Sequence, residues 1–412
     1  MKDLTELCLE LDPDSWLRWH EALDEVASIG LLDARETAVM QRAREVVASD
    51  IAPRAAAHDR SHTFVHDSYQ ALVRAGLGAL LVDPDLGGTG DTHVAYAAAM
   101  EEIAAGCGAT SLVYMTQFHA MYPLLISGAT ELARTYVPQL ASGAIYGSLG
   151  ITEPAAGSDV AGLATRAESD GDGYCLTGSK TFITSGDRAD LIIAFATVDR
   201  ALGRRGITAF AIAGEPSGLS RGNPLEKMGM HGSSTVELFF DRVPVANDHV
   251  IGQPGGGWQI VMGSVMRTRI GAAAQGVGLA RGAYVRTLFA LNSIHGRSLP
   301  PEVETGLTQV RGRILQARLL LLATARALDL SDSVRTGEVA IMKQQCTDLG
   351  WWATVECMRL LGSVGDLTVL GVERCMRDVL VTRTYDGTND IQALLTGRDT
   401  ALQVAQAQGA PS

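Results

Sequence analysis

Ile151-Thr152-Glu153-Pro154-Ala155-Ala156-Gly157-Ser158-Asp159-Val160 is the stretch on which the reading of this chain turns, because the sequence changes character across it. Before it, Ala- and Leu-rich segments at 34–55, 67–75, 93–105 and 131–140 carry helical periodicity, broken at Pro84 and at Gly87, Gly88 and Gly90. After it, short apolar or alternating runs at 174–184, 191–198, 207–213 and 236–245 are separated by Gly, Asp and Pro turns, the pattern of strands. Beyond Gly255-Gly256-Gly257 the helical period returns. There Leu307, Val310, Ile314, Ala317, Leu321, Ala325 and Leu328 recur at three- and four-residue steps and lay one apolar stripe along a long helix. Helices, then strands, then helices predict an α+β protein whose two helical parts pack together. The expected divisions are an N-terminal extension over 1–33, an N-terminal helical domain over 34–145, a middle β domain over 146–255 and a C-terminal helical domain over 256–412. The extension, with Trp16, Trp19 and His20, reads as an amphipathic surface helix that packs on the body.

The bulk numbers exclude several classes. With 412 residues, 46% hydrophobic and 19% charged, the chain is of ordinary globular composition and long enough for two or three cooperating domains. It has no run of about 18 apolar residues, and acids stand near Met1 where a secretory signal would be basic, so a cytoplasmic protein with no membrane span is expected. The 34 Lys and Arg are outnumbered by 46 acids, for a net charge of -12, which argues against a nucleic-acid partner. Cys8, Cys107, Cys175, Cys346, Cys357 and Cys375 show no CxxC or Cys/His ligand spacing, so neither a metal site nor a disulfide framework is expected. They read as reduced, mostly buried small hydrophobes.

Chemistry is legible in the 151–160 loop as well. Small residues and hydroxyls in a tight Gly-bearing loop bring backbone N–H groups and Ser/Thr donors up to a phosphate or a ring carbonyl. Read alone, the same string is as well a capped turn in which Ser158 and Asp159 bond their own backbone. Its context changes that. Pro84 with the glycines to Gly90, Tyr136-Val137-Pro138 with Ala141-Ser142-Gly143, the Thr152 to Asp159 loop and Gly178-Ser179-Lys180-Thr181-Phe182-Ile183-Thr184 follow in order. Lys227-Met228-Gly229-Met230, the Gly255 to Trp258 turn, Glu373-Arg374 with Arg377-Asp378, and Tyr385-Asp386-Gly387-Thr388 come after them. In this order the chain resembles the acyl-CoA dehydrogenase family over nearly all its length beyond about the first 30 residues.

The resemblance implies a barrel-like middle domain, a C-terminal four-helix bundle, and FAD held between the β domain and the C-terminal helices. It implies α,β-dehydrogenation of an acyl thioester, carried by coenzyme A or an acyl carrier protein, with an electron-transfer flavoprotein as acceptor and a homotetramer or homodimer as the assembly. Ile151 and Thr152 resemble residues that meet the pyrimidine side of the flavin, Ser158 a donor to the cofactor or thioester tail, Phe182 an aromatic covering a flavin face, and Thr184 a hydroxyl near N5. Phe182 without its neighbours reads as a core aromatic in a strand. Arg359, Gly362 and Thr388 are implied as further cofactor contacts, and Arg269, Tyr385, Gly387 and again Ser158 as substrate contacts. The reaction needs a base for the proton next to the thioester carbonyl, and donors where negative charge builds on its oxygen. The resemblance assigns the donors to the backbone N–H at the base residue and a ribityl hydroxyl of FAD. It assigns the base to the carboxylate of the Tyr-acid-Gly-Thr turn, here Asp386.

Asp386 also marks a departure, since the family's usual residue there is glutamate. Aspartate is one methylene shorter, and a displacement of about 1 Å at a reacting atom costs on the order of a hundredfold. Another branch of the family carries its base on the helix after the Gly-rich turn, but the matching position is Thr268, beside Arg269. Nitroalkane oxidase, a relative, resembles the chain in using aspartate, yet its companion arginine falls on Ala393. An Asp-Gly pair is otherwise a common turn, and Asp386 in that reading caps a helix starting near Asn389. The family's Arg-x-x-Phe-Gly, which reaches FAD from a neighbouring subunit, reads Asn292-Ser293-Ile294-His295-Gly296. Arg359 replaces a Gln before Leu360-Leu361-Gly362-Ser363, and is either a restored cation for the cofactor or a solvated helix arginine. His231, where an Arg is common, reads as a loop residue. Besides the dehydrogenase, two readings stay open: an oxidase or monooxygenase on the same fold, and a scaffold that has lost FAD.

Overall fold

A computed structural model describes residues 12–24, 30–296, 298–331 and 334–407. The N-terminal helices are α1 (Pro13–Ala22), α2 (Ala34–Val46), α3 (Ala52–Ser61), α4 (His66–Arg74), α5 (His93–Gly106), α6 (Gly108–Ile126) and α7 (Thr130–Ala141). A π-helical segment, Val47–Ile51, joins α2 to α3, and Pro53 in the first turn of α3 fits there because that position needs no intrahelical N–H donor. Asp33 caps α2 in a reciprocal box with Glu36. Helix α6 is buried on nearly every face, from Gly108 through Phe118 and on to Leu124, so its sequence shows no helical stripe.

The middle domain holds β1 (Gly147–Gly150), β2 (Arg166–Asp170), β3 (Gly173–Thr184), β4 (Leu191–Thr197), β5 (Ile207–Ala213), β6 (Leu219–Arg221), β7 (Thr235–Ala246) and β8 (Val250–Ile251). The strand order is β6-β7-β3-β2-β4-β5-β8, with β1 parallel to β4. Every residue of β4 is buried, and alternation explains how. Leu191, Ile193 and Phe195 face the large core shared with the helices, whereas Ile192, Ala194 and Ala196 face a second core inside the β domain.

The C-terminal helices are α8 (Gly257–His295), α9 (Pro301–Leu330), α10 (Thr336–Leu361), α11 (Val372–Val379) and α12 (Asn389–Ala407). The stripe expected on α9 is the observed one, with Leu307, Val310, Ile314, Ala317, Leu321 and Ala325 buried. Helices α8 and α10 cross at glycine: a Cβ on Gly350 would lie 2.6 Å from the carbonyl oxygen of Gly276. Seven residues before each of these glycines stand Arg269 and Lys343, and both side chains reach the same turn ahead of α12.

Two clasps hold the parts in register. Arg377 pairs with Asp59 of α3 at 2.5 Å and donates to Met228 O at 3.2 Å, while Asp378 accepts from the Met230 amide. The Lys-Met-Gly-Met and Arg-Asp motifs thus tie α3, the β domain and α11 to one another. The second clasp seats α1, whose Trp16 and His20 are buried as the amphipathic reading of the extension expects. Arg281 holds Glu101 at 2.7 Å and Glu102 at 3.0 Å, and Arg44 bridges Asp24 at 2.6 Å and Glu102 at 2.7 Å. The rest of the extension reading, over residues 1–11 and 25–29, lies outside the described residues, as does Cys8. The other five cysteines are buried free thiols. Among the described residues no helix is long and apolar enough to cross a membrane, and no cluster of metal-ligating side chains occurs.

Candidate active site

The 151–160 loop is held from below by a buried ion pair. Glu153, capping neither helix nor strand, accepts from the amides of Ala164 and Thr165 and from Lys180 Nζ at 2.7 Å. Lys180 is fully buried and also donates to Ile151 O at 3.2 Å. Burial pulls its ammonium down to about 8 while Glu153 pulls the other way, and Lys180 in turn holds the Glu153 carboxyl below its ordinary value against the effect of burial. The amide of Thr181 donates to Thr152 O at 2.9 Å, which fixes the loop to β3. Thr152, Phe182 and Thr184 therefore belong to one rigid piece, and Ser158 stands exposed on the outer part of the loop.

Phe182 is no core aromatic. It sits in β3 where the pairing with β7 slips between Lys180 and Ile183, has a left-handed φ of 58°, and is 68% exposed. A bulky residue in that conformation is strained, and an exposed phenyl ring adds little to the core. Both make sense for a platform against which a flat ring lies, and Thr152 and Thr184, both half-buried, belong to the same loop and strand. These residues fit a flavin.

The second piece is the turn before α12. Asp386 adopts φ 53°, a region that Asp tolerates better than most residues. Its carbonyl accepts from Arg269 Nε at 3.2 Å and Gln392 Nε2 at 3.1 Å, and the next carbonyl, of Gly387, accepts from Gln392 at 2.8 Å and Lys343 Nζ at 3.0 Å. Lys343 bonds Asn389 as well, at 2.9 Å. The turn-cap reading of Asp386 does not hold: Thr388 caps α12, its hydroxyl accepting from the Ile391 amide at 3.3 Å. The Asp386 carboxylate faces inward instead, and its Oδ2 is buried with no hydrogen-bond partner. The phenol of Tyr385 is likewise buried without one. Burial works to raise the Asp386 pKa, but the neighbouring charges of His119, Lys343 and Arg269 outweigh it and hold the carboxyl below its ordinary value.

His119 is the residue that sequence reading missed. It projects from α6 and brings Nε2 to 3.5 Å from Asp386 Oδ2. Thr268, at the alternative base position, spends its hydroxyl on Val265 O. Glu101 and Glu102 on α5 are engaged in ion pairs with Arg281 and Arg44, Asp378 accepts from the Met230 amide, and Asp348 accepts from Arg383 and Asn389. His231 bonds Lys227 O at 2.7 Å and pairs with Asp59 at 3.0 Å, the structural role expected of it. Arg359 and Gly362 fall elsewhere. Arg359 is exposed and forked onto Glu356, and Gly362 ends α10 at φ 59°. Sixteen residues separate Lys343 from Arg359 on that helix, which is about 24 Å at 1.5 Å per residue, so neither residue joins the Asp386 turn in the same chain.

An exposed aromatic on β3 and a buried carboxylate on a separately braced turn are the two pieces of the candidate site. The chain belongs to the acyl-CoA dehydrogenase family: the N-terminal domain model of that family matches residues 33–144, the middle domain model 148–243 and the C-terminal domain model 255–400. It is 32% identical over 393 residues to the mitochondrial short-chain specific acyl-CoA dehydrogenase of Homo sapiens, covering 93% of each chain. It is 33% identical over 376 residues to the cyclohex-1-ene-1-carbonyl-CoA dehydrogenase of Geobacter metallireducens, covering 89% of this chain and 98% of the relative. The butyryl-CoA dehydrogenase structure from Megasphaera elsdenii superposes with a TM-score of 0.85 at 28% identity, over 90% of this chain and 99% of that one. As a member of this family, the enzyme binds FAD and dehydrogenates acyl thioesters.

Proposed function

We propose that Asp386 is the base that takes the α-proton of the acyl thioester. The observation that carries this reading is the division of labour in its turn: Arg269, Gln392 and Lys343 hold the backbone, while carboxylate Oδ2 keeps no hydrogen bond of its own. A base must be fixed in place yet free at the atom that takes the proton. FAD, when bound, supplies the acceptor for the β-hydride. Ile151, Thr152, Phe182 and Thr184 hold its ring system, with Ser158 and Thr388 as further donors, and Tyr385, Gly387 and Arg269 shape the acyl site. Arg359 and Gly362, remote from this turn, are assigned to the cofactor of a neighbouring subunit.

The shorter carboxylate points to a specialised acyl group rather than bulk fatty-acid oxidation, on coenzyme A or an acyl carrier protein. We assign the enzyme to the cytoplasm, as a homotetramer built through its C-terminal helices, where Leu319 is exposed beside buried Leu321 and Leu322. Electron-transfer flavoprotein is the assigned acceptor. Anaerobic bleaching of the purified yellow protein by a panel of acyl thioesters tests the reading, and a flavin that no thioester reduces would sink it. The aspartate favours one second reading, an oxidase or monooxygenase on this fold, which rapid oxygen consumption during turnover would reveal.

A further inference from the structure

Neither the base assignment nor the cofactor assignment uses His119. Its Nε2 and the Asp386 Oδ2 lie 3.5 Å apart, their side chains are 12% and 9% exposed, and neither atom has a hydrogen-bond partner. That distance is beyond a good hydrogen bond, so the carboxylate is approached without being locked. Two titratable groups this close and this dry do not titrate independently.

The other groups facing Asp386 do not share this freedom. Arg269, from α8, stays cationic and spends Nε on the Asp386 carbonyl. Lys343, from α10, spends its ammonium on Gly387 O and Asn389 Oδ1. Tyr96 from α5 and the adjoining Tyr385 are phenols that burial, above all, keeps protonated. Histidine is the side chain that ordinarily changes charge between pH 5 and 8.

We propose that His119 is a positioning residue that acts through Asp386 as its proton store. The inference rests on Asp386 being the base. In the competent state the carboxylate is ionised and the imidazole neutral. The substrate Cα–H bond breaks, its electron pair stays with the substrate, and the proton goes to the carboxylate. From there it passes to His119 Nε2, leaving imidazolium and carboxylate as an ion pair. Neither transfer consumes an oxidant or reductant. Whenever His119 carries the proton beforehand, the store is full, the ion pair holds the carboxylate back, and proton abstraction is slow.

The test uses holoenzyme in two measurements. Histidine-selective 13C labelling follows the imidazole titrations, with the His119 resonance assigned by its disappearance in His119→Gln. In Asp386→Asn the His119 midpoint should fall by at least about half a unit, since the carboxylate that favours imidazolium is gone. Stopped-flow flavin reduction by an acyl thioester is then followed from pH 5 to 8. The wild-type rate should climb at least tenfold, whereas His119→Gln, which keeps size and polarity but cannot titrate, should keep its FAD and give a nearly flat profile. His119→Asn should repeat that flatness. An unmoved midpoint, or profiles that superimpose, would overturn the proposal while leaving the base assignment standing. If no thioester reduces the flavin in any of the proteins, the base assignment fails and this role with it, whatever the titration shows.

Discussion

Lys180→Met should loosen the flavin platform and the 151–160 loop together, because one buried ion pair ties them. Removing a single partner of a buried pair costs about 3–5 kcal/mol. Here the stranded Glu153 keeps the amides of Ala164 and Thr165, so the expected loss lies at the low end, about 3 kcal/mol. The double variant Lys180→Met with Glu153→Gln removes both charges and should recover about 1–2 kcal/mol of it, a coupling that two unrelated sites would not show. Amide exchange at Thr181, which bonds Thr152 O, reports the local opening. FAD affinity should fall at least tenfold in the single variant. The reasoning is refuted if Lys180→Met costs less than about 1 kcal/mol, or if Thr181 exchange and FAD affinity both stay at wild-type values.

Phe182→Gly should leave the apoprotein as stable or up to about 1 kcal/mol more stable, since glycine relieves the left-handed strain and little packed surface is lost; equilibrium dialysis should show weaker FAD binding. The seating of α1 should depend on pH. Burial, followed by the Arg281 charge, holds His20 well below its ordinary 6.5, so the unfolded chain gains a proton that the folded chain refuses. Stability is therefore lost as pH falls from about 6.5 toward the folded value, and melting curves of His20→Gln should show a shallower acid slope than wild type. Sedimentation at micromolar concentration should give a tetramer, and a monomer would remove the assigned role of the exposed Leu319 face.

The elements legible in the sequence are those with a one-sided stripe or a short apolar run bounded by turn residues. The α9 stripe follows from periodicity because the other face of that helix meets water, whereas β4, buried on both faces, was legible as a bounded apolar run. Helix α6 offers neither signal: buried on nearly every face, it has no stripe to read, and His119 went unseen with it. Its partner Asp386 lies far along the chain, so no spacing could have joined them. The residues of the proposed flavin platform and proposed base turn were picked out as motifs, but the packing around them was not. That Lys180 and Glu153 fasten the loop, that Thr388 rather than Asp386 caps α12, and that Lys343 and Arg269 arrive together from two helices crossing at Gly276 and Gly350 are facts of packing.

The proposed base is tested most directly at Asp386 itself. Asp386→Asn keeps the size of the side chain and tolerates the left-handed backbone, but cannot take a proton. FAD should stay bound and the fold intact, while anaerobic flavin reduction by the true thioester substrate, measured by stopped flow, falls by about a hundredfold or more. Asp386→Glu should help a plain acyl-CoA and slow the native substrate. Equal reduction rates in wild type and Asp386→Asn would contradict the account and take Asp386 out of the mechanism.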